Sequence, residues 1–154
     1  MKNRQQLQVK FSTSPEMSRG VFELINKCLD GQKIADDIKR KFMLAVGEAI
    51  DNAVIHGNKF SPAKSVEVEY IYETVKITLT VKDEGNGFDF IKHLEVPLIE
   101  FEAPKLIEKT VKYGSPGGLG LALMRKCINE IIFTPPGNKI TLIKYLTPLE
   151  ISSE

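Results

Sequence analysis

The segment from Glu48 to Asn58 reads EAIDNAVIHGN and closes the most regular amphipathic stretch of the chain. Apolar residues recur there at helical spacing, which predicts a helix from about Ile34 to His56. Gly57 follows as a candidate C-cap. The apolar stripe of this helix comprises Ile38, Phe42, Ala45, Val46, Ala49, Ile50 and Ala53.

Glu48 and Asn52 are four residues apart at the edge of that stripe, so they project from one face of the predicted helix. The carboxylate can accept a proton or orient a nucleophile. The amide oxygen is a hard ligand of the kind that magnesium binds. The same spacing is also typical of the polar flank of an ordinary helix, so spacing alone leaves both interpretations open.

A second polar segment follows a predicted β-hairpin. Residues Val66 to Tyr72 and Val75 to Lys82 alternate polar and apolar side chains, and the second strand leads directly into Asp83-Glu84-Gly85-Asn86-Gly87. Asp83 can accept a hydrogen bond from an exocyclic amine, and the glycines allow backbone to approach a flat base. A plain turn has the same composition.

A third segment, Gly114 to Gly120, leads into another predicted helix. Glycine amides at a helix N-terminus form a cradle for phosphate, although a flexible hinge has the same composition. No Gly-Lys-Ser/Thr follows, so the segment is not a Walker loop. Residues 88–116 before the helix show no sustained period and are too long for an ordinary connection.

The remaining features favour one ordinary cytoplasmic domain over residues 1–154. A net charge of +1 gives no basic excess for nucleic acid, and no apolar run approaches the roughly 18 residues needed to span a membrane. Cys28 and Cys127 are interpreted as free thiols. The predicted order of elements is strand, helix, helix, hairpin, loop, helix, hairpin. This order predicts an α+β, two-layer sandwich, with helices on one face of a mixed, mostly antiparallel sheet.

The order of the three polar segments resembles the GHKL (Bergerat-fold) ATP-binding superfamily. The shared pattern is Glu-x-x-x-Asn on a helix, Asp-x-Gly-x-Gly after a strand, a long loop, and Gly-x-Gly at a helix start. The resemblance covers about Phe11 to Leu146. Within the superfamily, the ending Asn-Ala-Val-Ile-His-Gly-Asn at residue 58 and Gly-Gly-Leu-Gly-Leu-Ala-Leu-Met-Arg at 117–125 look most like anti-sigma-factor kinases of the RsbW and SpoIIAB type.

The resemblance implies a role for each motif. Asn52 would ligate the Mg²⁺ that bridges the ATP phosphates, and Glu48 would act as general base or orient the attacking serine hydroxyl. The 88–116 segment would form the ATP lid. The implied nucleotide-binding residues are Asn52, Asp83 at the adenine amino group, Gly85 and Gly87 at the base, and Gly118, Leu119 and Gly120 at the phosphates.

The implied function is that of a serine/threonine protein kinase that acts as an anti-sigma factor. It would sequester a sigma factor, phosphorylate an anti-anti-sigma (STAS-type) partner and form a homodimer, without direct contact to nucleic acid or membrane. Some kinases of this group carry an arginine before the third motif, whereas Tyr113 to Pro116 here contains none. The missing arginine motivates one alternative, a nucleotide-binding partner switch without phosphotransfer. An orphan sensor-kinase catalytic domain that phosphorylates a histidine in trans is a further alternative.

Overall fold

A computed structural model describes residues 3–87 and 117–151 of the chain, without the side chains of 117–119. The predicted lid at 88–116 lies outside the described residues. The described elements are β1 (Arg4–Ser12), α1 (Pro15–Asp30), α2 (Asp36–Asp51), a π-helical turn (Asn52–Gly57), β2 (Ser65–Glu73), β3 (Lys76–Lys82), α3 (Gly117–Cys127), β4 (Glu130–Thr134) and β5 (Lys139–Tyr145).

The five described strands form one sheet in the order β1-β2-β3-β5-β4. Each of its four strand pairings is antiparallel. The α+β fold class predicted from the sequence is confirmed, and the sheet is antiparallel throughout its described strands. Because β5 pairs with β3, the last hairpin of the chain lies beside the strand that leads into Asp83.

The core lies between one face of the sheet and the helices. Strand alternation turns every second side chain of the central strands toward the helices, where these residues are buried: Val66, Val68, Tyr70, Tyr72, Ile77, Leu79, Val81, Ile140 and Leu142. The apolar stripe of α2 meets this face and is buried as predicted. This packing fixes the C-terminal end of α2 above the central strands. In the described part of the chain, no helix combines the length and the apolar character that crossing a membrane requires.

The C-terminal end of α2 differs from the sequence prediction. The α-helix ends at Asp51, and Asn52 to Gly57 continue as a π-helical turn. Gly57 does not adopt the left-handed conformation of a C-cap glycine; positive φ angles occur instead at Lys59 (52°) and Phe60 (56°). The C-cap interpretation was therefore wrong. Short π-helical turns inside helices occur frequently at functional sites.

Close packing explains the glycine at position 57. A Cβ added there would lie 2.2 Å from the carboxyl carbon of Asp83 and 2.4 Å from its Oδ2. Only a residue without a side chain allows the π-helical turn to approach the loop after β3 so closely. The glycine thus follows from a tertiary contact between two of the polar segments.

Candidate nucleotide-binding site

A cavity of about 210 Å³ lies between the end of α2 and the β3–β5 region of the sheet. Its lining mixes small or apolar side chains with a few polar groups, which suits a flat ring with polar substituents. The lining residues are Ala49, Asn52, Ala53, His56, Gly57, Val81, Asp83, Gly87, Phe133, Gly137, Asn138, Lys139 and Ile140.

Two of the three segments singled out in the sequence meet at this cavity. Asn52 comes from the π-helical turn, and Asp83 and Gly87 come from the loop after β3. Gly85 is not one of the described lining residues, but its backbone N–H donates a hydrogen bond to the carboxylate of Asp83. These residues are distant in sequence, and the packing of α2 against the sheet brings them together.

The other predicted site residues lie outside the described lining. Glu48 is half-buried on α2, one helical turn before Asn52. Gly118, Leu119 and Gly120 lie in the first turn of α3, which packs against α2. A helix at the third glycine motif is confirmed, while its role at phosphates stays a prediction.

Asp83 is the buried acid of the cavity, with 9% of its surface exposed. Its N–H donates to the Asn138 carbonyl at 2.9 Å, and its Oδ1 accepts from Gly85 N–H at 2.7 Å. Burial raises the pKa of the carboxyl above its ordinary value; the Gly85 hydrogen bond and the charge of Lys64 oppose this shift. A fixed carboxylate in an apolar cavity is an acceptor for a ligand N–H group.

Two further glycines of the loop after β3 are required by space. A Cβ on Gly85 would lie 2.4 Å from the Gly57 carbonyl oxygen. A Cβ on Gly87 would lie 2.0 Å from the Pro136 carbonyl oxygen, and Gly87 also has a φ of 79° that favours glycine. The two glycines of the Asp-x-Gly-x-Gly pattern are therefore explained by close packing of this backbone against the π-helical turn, for Gly85, and against the β4–β5 turn, for Gly87.

Glu48 and Asn52 provide an acid and an amide on successive turns. Burial raises the pKa of the Glu48 carboxyl, and the nearby charge of Asp51 raises it further. A raised pKa brings a carboxylate closer to the range in which it works as a general base. The described residues contain no cluster of three or more His, Cys, Asp or Glu side chains able to hold a metal ion. A single amide oxygen fits Mg²⁺ that is held mainly by substrate phosphates and water.

The lining also includes Gly137 and Asn138 from the β4–β5 turn and Lys139 from the start of β5, none of which the sequence analysis had assigned to the site. Their role depends on the pairing of β5 with β3, which no local pattern specifies. His56 lies at the end of the first motif, and its exposed side chain is also part of the cavity lining.

This fold and site define a class of protein. Residues 11–144 match the family model of the histidine kinase-like ATPase domain, and the chain belongs to that family. The superfamily resemblance drawn from the three motifs is thereby confirmed.

Within this family, the chain is similar to anti-sigma factors and to an RsbW kinase. The chain is 30% identical over 105 residues to an anti-sigma F factor of Anoxybacillus flavithermus, covering 66% of each protein. It is 33% identical over 98 residues to an anti-sigma F factor of Geobacillus stearothermophilus, covering 64% of this chain and 61% of that protein. It is 28% identical over 109 residues to the serine-protein kinase RsbW of Listeria monocytogenes serotype 4a, covering 70% and 66%. The matches thus span slightly less than two thirds of these relatives, and the similarity to anti-sigma and RsbW proteins agrees with the sequence-based resemblance.

Proposed function

We propose that this domain binds ATP with Mg²⁺ and acts as an anti-sigma factor that phosphorylates a serine or threonine of an anti-anti-sigma partner. The observation that carries the proposal is the convergence of Asn52, Asp83 and Gly87 on one cavity. Membership of the histidine kinase-like ATPase family and the similarity to an anti-sigma F factor and to the serine-protein kinase RsbW support the same function.

The base end of the cavity suits adenine. Ala53, Val81 and Ile140 offer apolar contacts to the ring. Asp83 offers a buried carboxylate whose Oδ1 already accepts from Gly85, so that Oδ2 is the acceptor proposed for the exocyclic amine. An inosine base presents a carbonyl oxygen at the same position, and two acceptors facing each other lose the hydrogen bond.

The phosphates and the metal ion are assigned to the end of the cavity where Asn52 lies. In this proposal the Asn52 amide oxygen contributes one Mg²⁺ ligand, and Mg²⁺ supplies charge neutralisation of the phosphates when it is bound. The first turn of α3, with Gly118 and Gly120, contributes backbone N–H groups. Glu48, one turn before Asn52, takes the proton of the attacking hydroxyl or orients it, and its raised pKa suits either task.

A phosphotransfer assay tests the enzyme. The wild type and Glu48→Gln are incubated with γ-labelled ATP and a panel of STAS-type anti-anti-sigma proteins, and acid-stable phosphoserine or phosphothreonine is measured. We expect Glu48→Gln to lower the transfer rate roughly 10²- to 10⁴-fold, with little change in ATP affinity. Glu23→Gln, an exposed change on α1, serves as the control with wild-type activity.

Undiminished transfer by Glu48→Gln would contradict the role of Glu48. ATP binding and sigma-factor capture without phosphate on any partner would instead favour the partner switch without phosphotransfer. Acid-labile phosphate on a partner histidine would favour the orphan sensor-kinase catalytic domain.

We further propose a cytoplasmic homodimer. The sheet face opposite the helices carries half-buried or exposed side chains that include Ile71, Ile143, Ile132 and Tyr145. Apolar side chains grouped on an exposed face are a physical correlate of an interface. Light scattering after size-exclusion chromatography tests this proposal. A dimer mass that Ile132→Lys converts to a monomer mass would support it, and a wild-type monomer at high concentration would contradict it.

A further inference from the structure

Asn58 ends the first motif, and its side chain points away from the cavity into a fully buried polar site. It is 0% exposed and hydrogen-bonds three separate segments. Its Nδ2 donates to Thr13 Oγ1 and to the Ser65 carbonyl, each at 2.9 Å. Its Oδ1 accepts from the backbone N–H of Glu84 at 2.8 Å. Because the buried amide group makes all three hydrogen bonds, it holds these three segments in one arrangement.

The bond to Glu84 fixes the loop that carries the buried acid. Glu84 follows Asp83 directly, so the Asn58 oxygen anchors the backbone one residue after the carboxylate. On the preceding side, the Asp83 N–H donates to Asn138. Glu84 adds an outer connection, because its Oε2 accepts from the backbone N–H of Ser65 at 2.6 Å.

Gly57 and Asn58 therefore act on Asp83 from adjacent positions. Gly57 limits where the Asp83 carboxyl group can lie, since the two groups are in close contact. Asn58 holds the backbone that supports this carboxyl group. Asn58 is not one of the described lining residues of the cavity, so any effect on a ligand passes through the loop.

We propose that Asn58 is a positioning residue that sets the base selectivity of the site by holding Asp83 through the Glu84 amide. This inference rests on the proposed binding of ATP. A residue with only a general structural role would change the stability of the protein and its affinity for every nucleotide alike. A positioning residue changes the preference for a base that carries the exocyclic amine.

The test compares the dissociation constants of ATP and inosine triphosphate by calorimetry, for the wild type, Asn58→Ala and a matched control. Thr13→Val is the control, because it removes the hydroxyl on the far side of Asn58 and leaves the Glu84–Asn58 bond in place. We expect the wild type to prefer ATP, and Asn58→Ala to lose roughly 10- to 100-fold in ATP affinity with little change for inosine triphosphate. Thr13→Val is expected to melt at a lower temperature and to keep the wild-type ratio.

Asn58→Asp supplies a second variant if Asn58→Ala does not fold. It retains the oxygen that accepts from Glu84 and loses the donor to Thr13 and Ser65, so the wild-type base preference is expected to persist. A wild-type ratio in folded Asn58→Ala, or a lost preference in folded Asn58→Asp, would overturn the inference. A wild type that binds neither nucleotide would instead overturn the proposed function itself.

Discussion

Replacing Gly57 by alanine tests the close contact between the π-helical turn and Asp83. The new Cβ would lie 2.2 Å from the Asp83 carboxyl carbon. Carbon atoms make favourable contact at about 3.5 Å, so one group has to move by about 1.3 Å. A hydrogen bond of about 2.9 Å lengthened by that amount no longer exists. We therefore expect Gly57→Ala to displace the carboxylate from its ligand.

The size of the effect follows from the interaction that is lost. A hydrogen bond to a charged group contributes about 1.5–3 kcal/mol, so its loss corresponds to a dissociation constant for ATP that is roughly 10- to 150-fold higher. Overpacking also costs about 1–3 kcal/mol of folding free energy. Alanine would otherwise stabilise a helical position by about 0.5–1 kcal/mol relative to glycine, so the two effects have opposite signs.

Calorimetry with an ATP analogue and urea denaturation measure the two effects. Gly20→Ala is the matched control, because Gly20 lies in α1 and an added Cβ meets no atom within 4 Å. The control is expected to be slightly more stable than the wild type and to bind the analogue equally well. If Gly57→Ala behaved like Gly20→Ala in both assays, the reasoning about the Asp83 contact would be refuted.

Three further predictions concern the carboxyl groups. Asp51→Asn removes a negative charge that helps to raise the pKa of Glu48. The acid limb of the pH profile of the phosphotransfer rate is therefore expected to move to lower pH. An acid limb that does not move would argue against Glu48 as the base. Asp83→Asn places an NH₂ group where the proposed Oδ2 acceptor lies, so ATP affinity is expected to fall roughly 10- to 150-fold by calorimetry. Burial raises the pKa of Asp83 in the folded state above its value in the unfolded state. The buried, ionised carboxyl group therefore lowers the free energy of unfolding at pH values above the folded-state pKa, and it has no such effect at pH values below the unfolded-state pKa. As the pH rises from the unfolded-state pKa to the folded-state pKa, the free energy of unfolding of ligand-free Asp83→Asn should therefore increase relative to that of the wild type. A difference between the two proteins that does not change with pH would contradict the assignment.

Local periodicity was sufficient to predict the β2–β3 hairpin and the buried face of α2. The alternation in Val66 to Tyr72 and Val75 to Lys82 specified two strands, and the short turn between them specified a hairpin. The apolar stripe of α2 specified the buried helix face. These features depend on neighbours within a few residues, which the sequence displays directly.

Features that depend on distant contacts were not predicted. The glycine at position 57 follows from the approach of Asp83, which lies 26 residues further along the chain, and no local pattern specified the π-helical turn that contains it. The contribution of Asn138 and Lys139 requires the pairing of β5 with β3. The role of Asn58 requires that three loop segments meet. The motif residues themselves were identified because their order along the chain resembles a known superfamily.

Calorimetric titration with a nonhydrolysable ATP analogue, with and without Mg²⁺, measures whether Asn52 takes part in magnesium-dependent nucleotide binding. The wild type, Asn52→Ala and the control Asn26→Ala on α1 are compared. We expect Mg²⁺ to strengthen binding to the wild type and to Asn26→Ala, and Asn52→Ala to lose this strengthening. No binding by the wild type at millimolar nucleotide, or the same Mg²⁺ dependence in Asn52→Ala, would be incompatible with the proposed site.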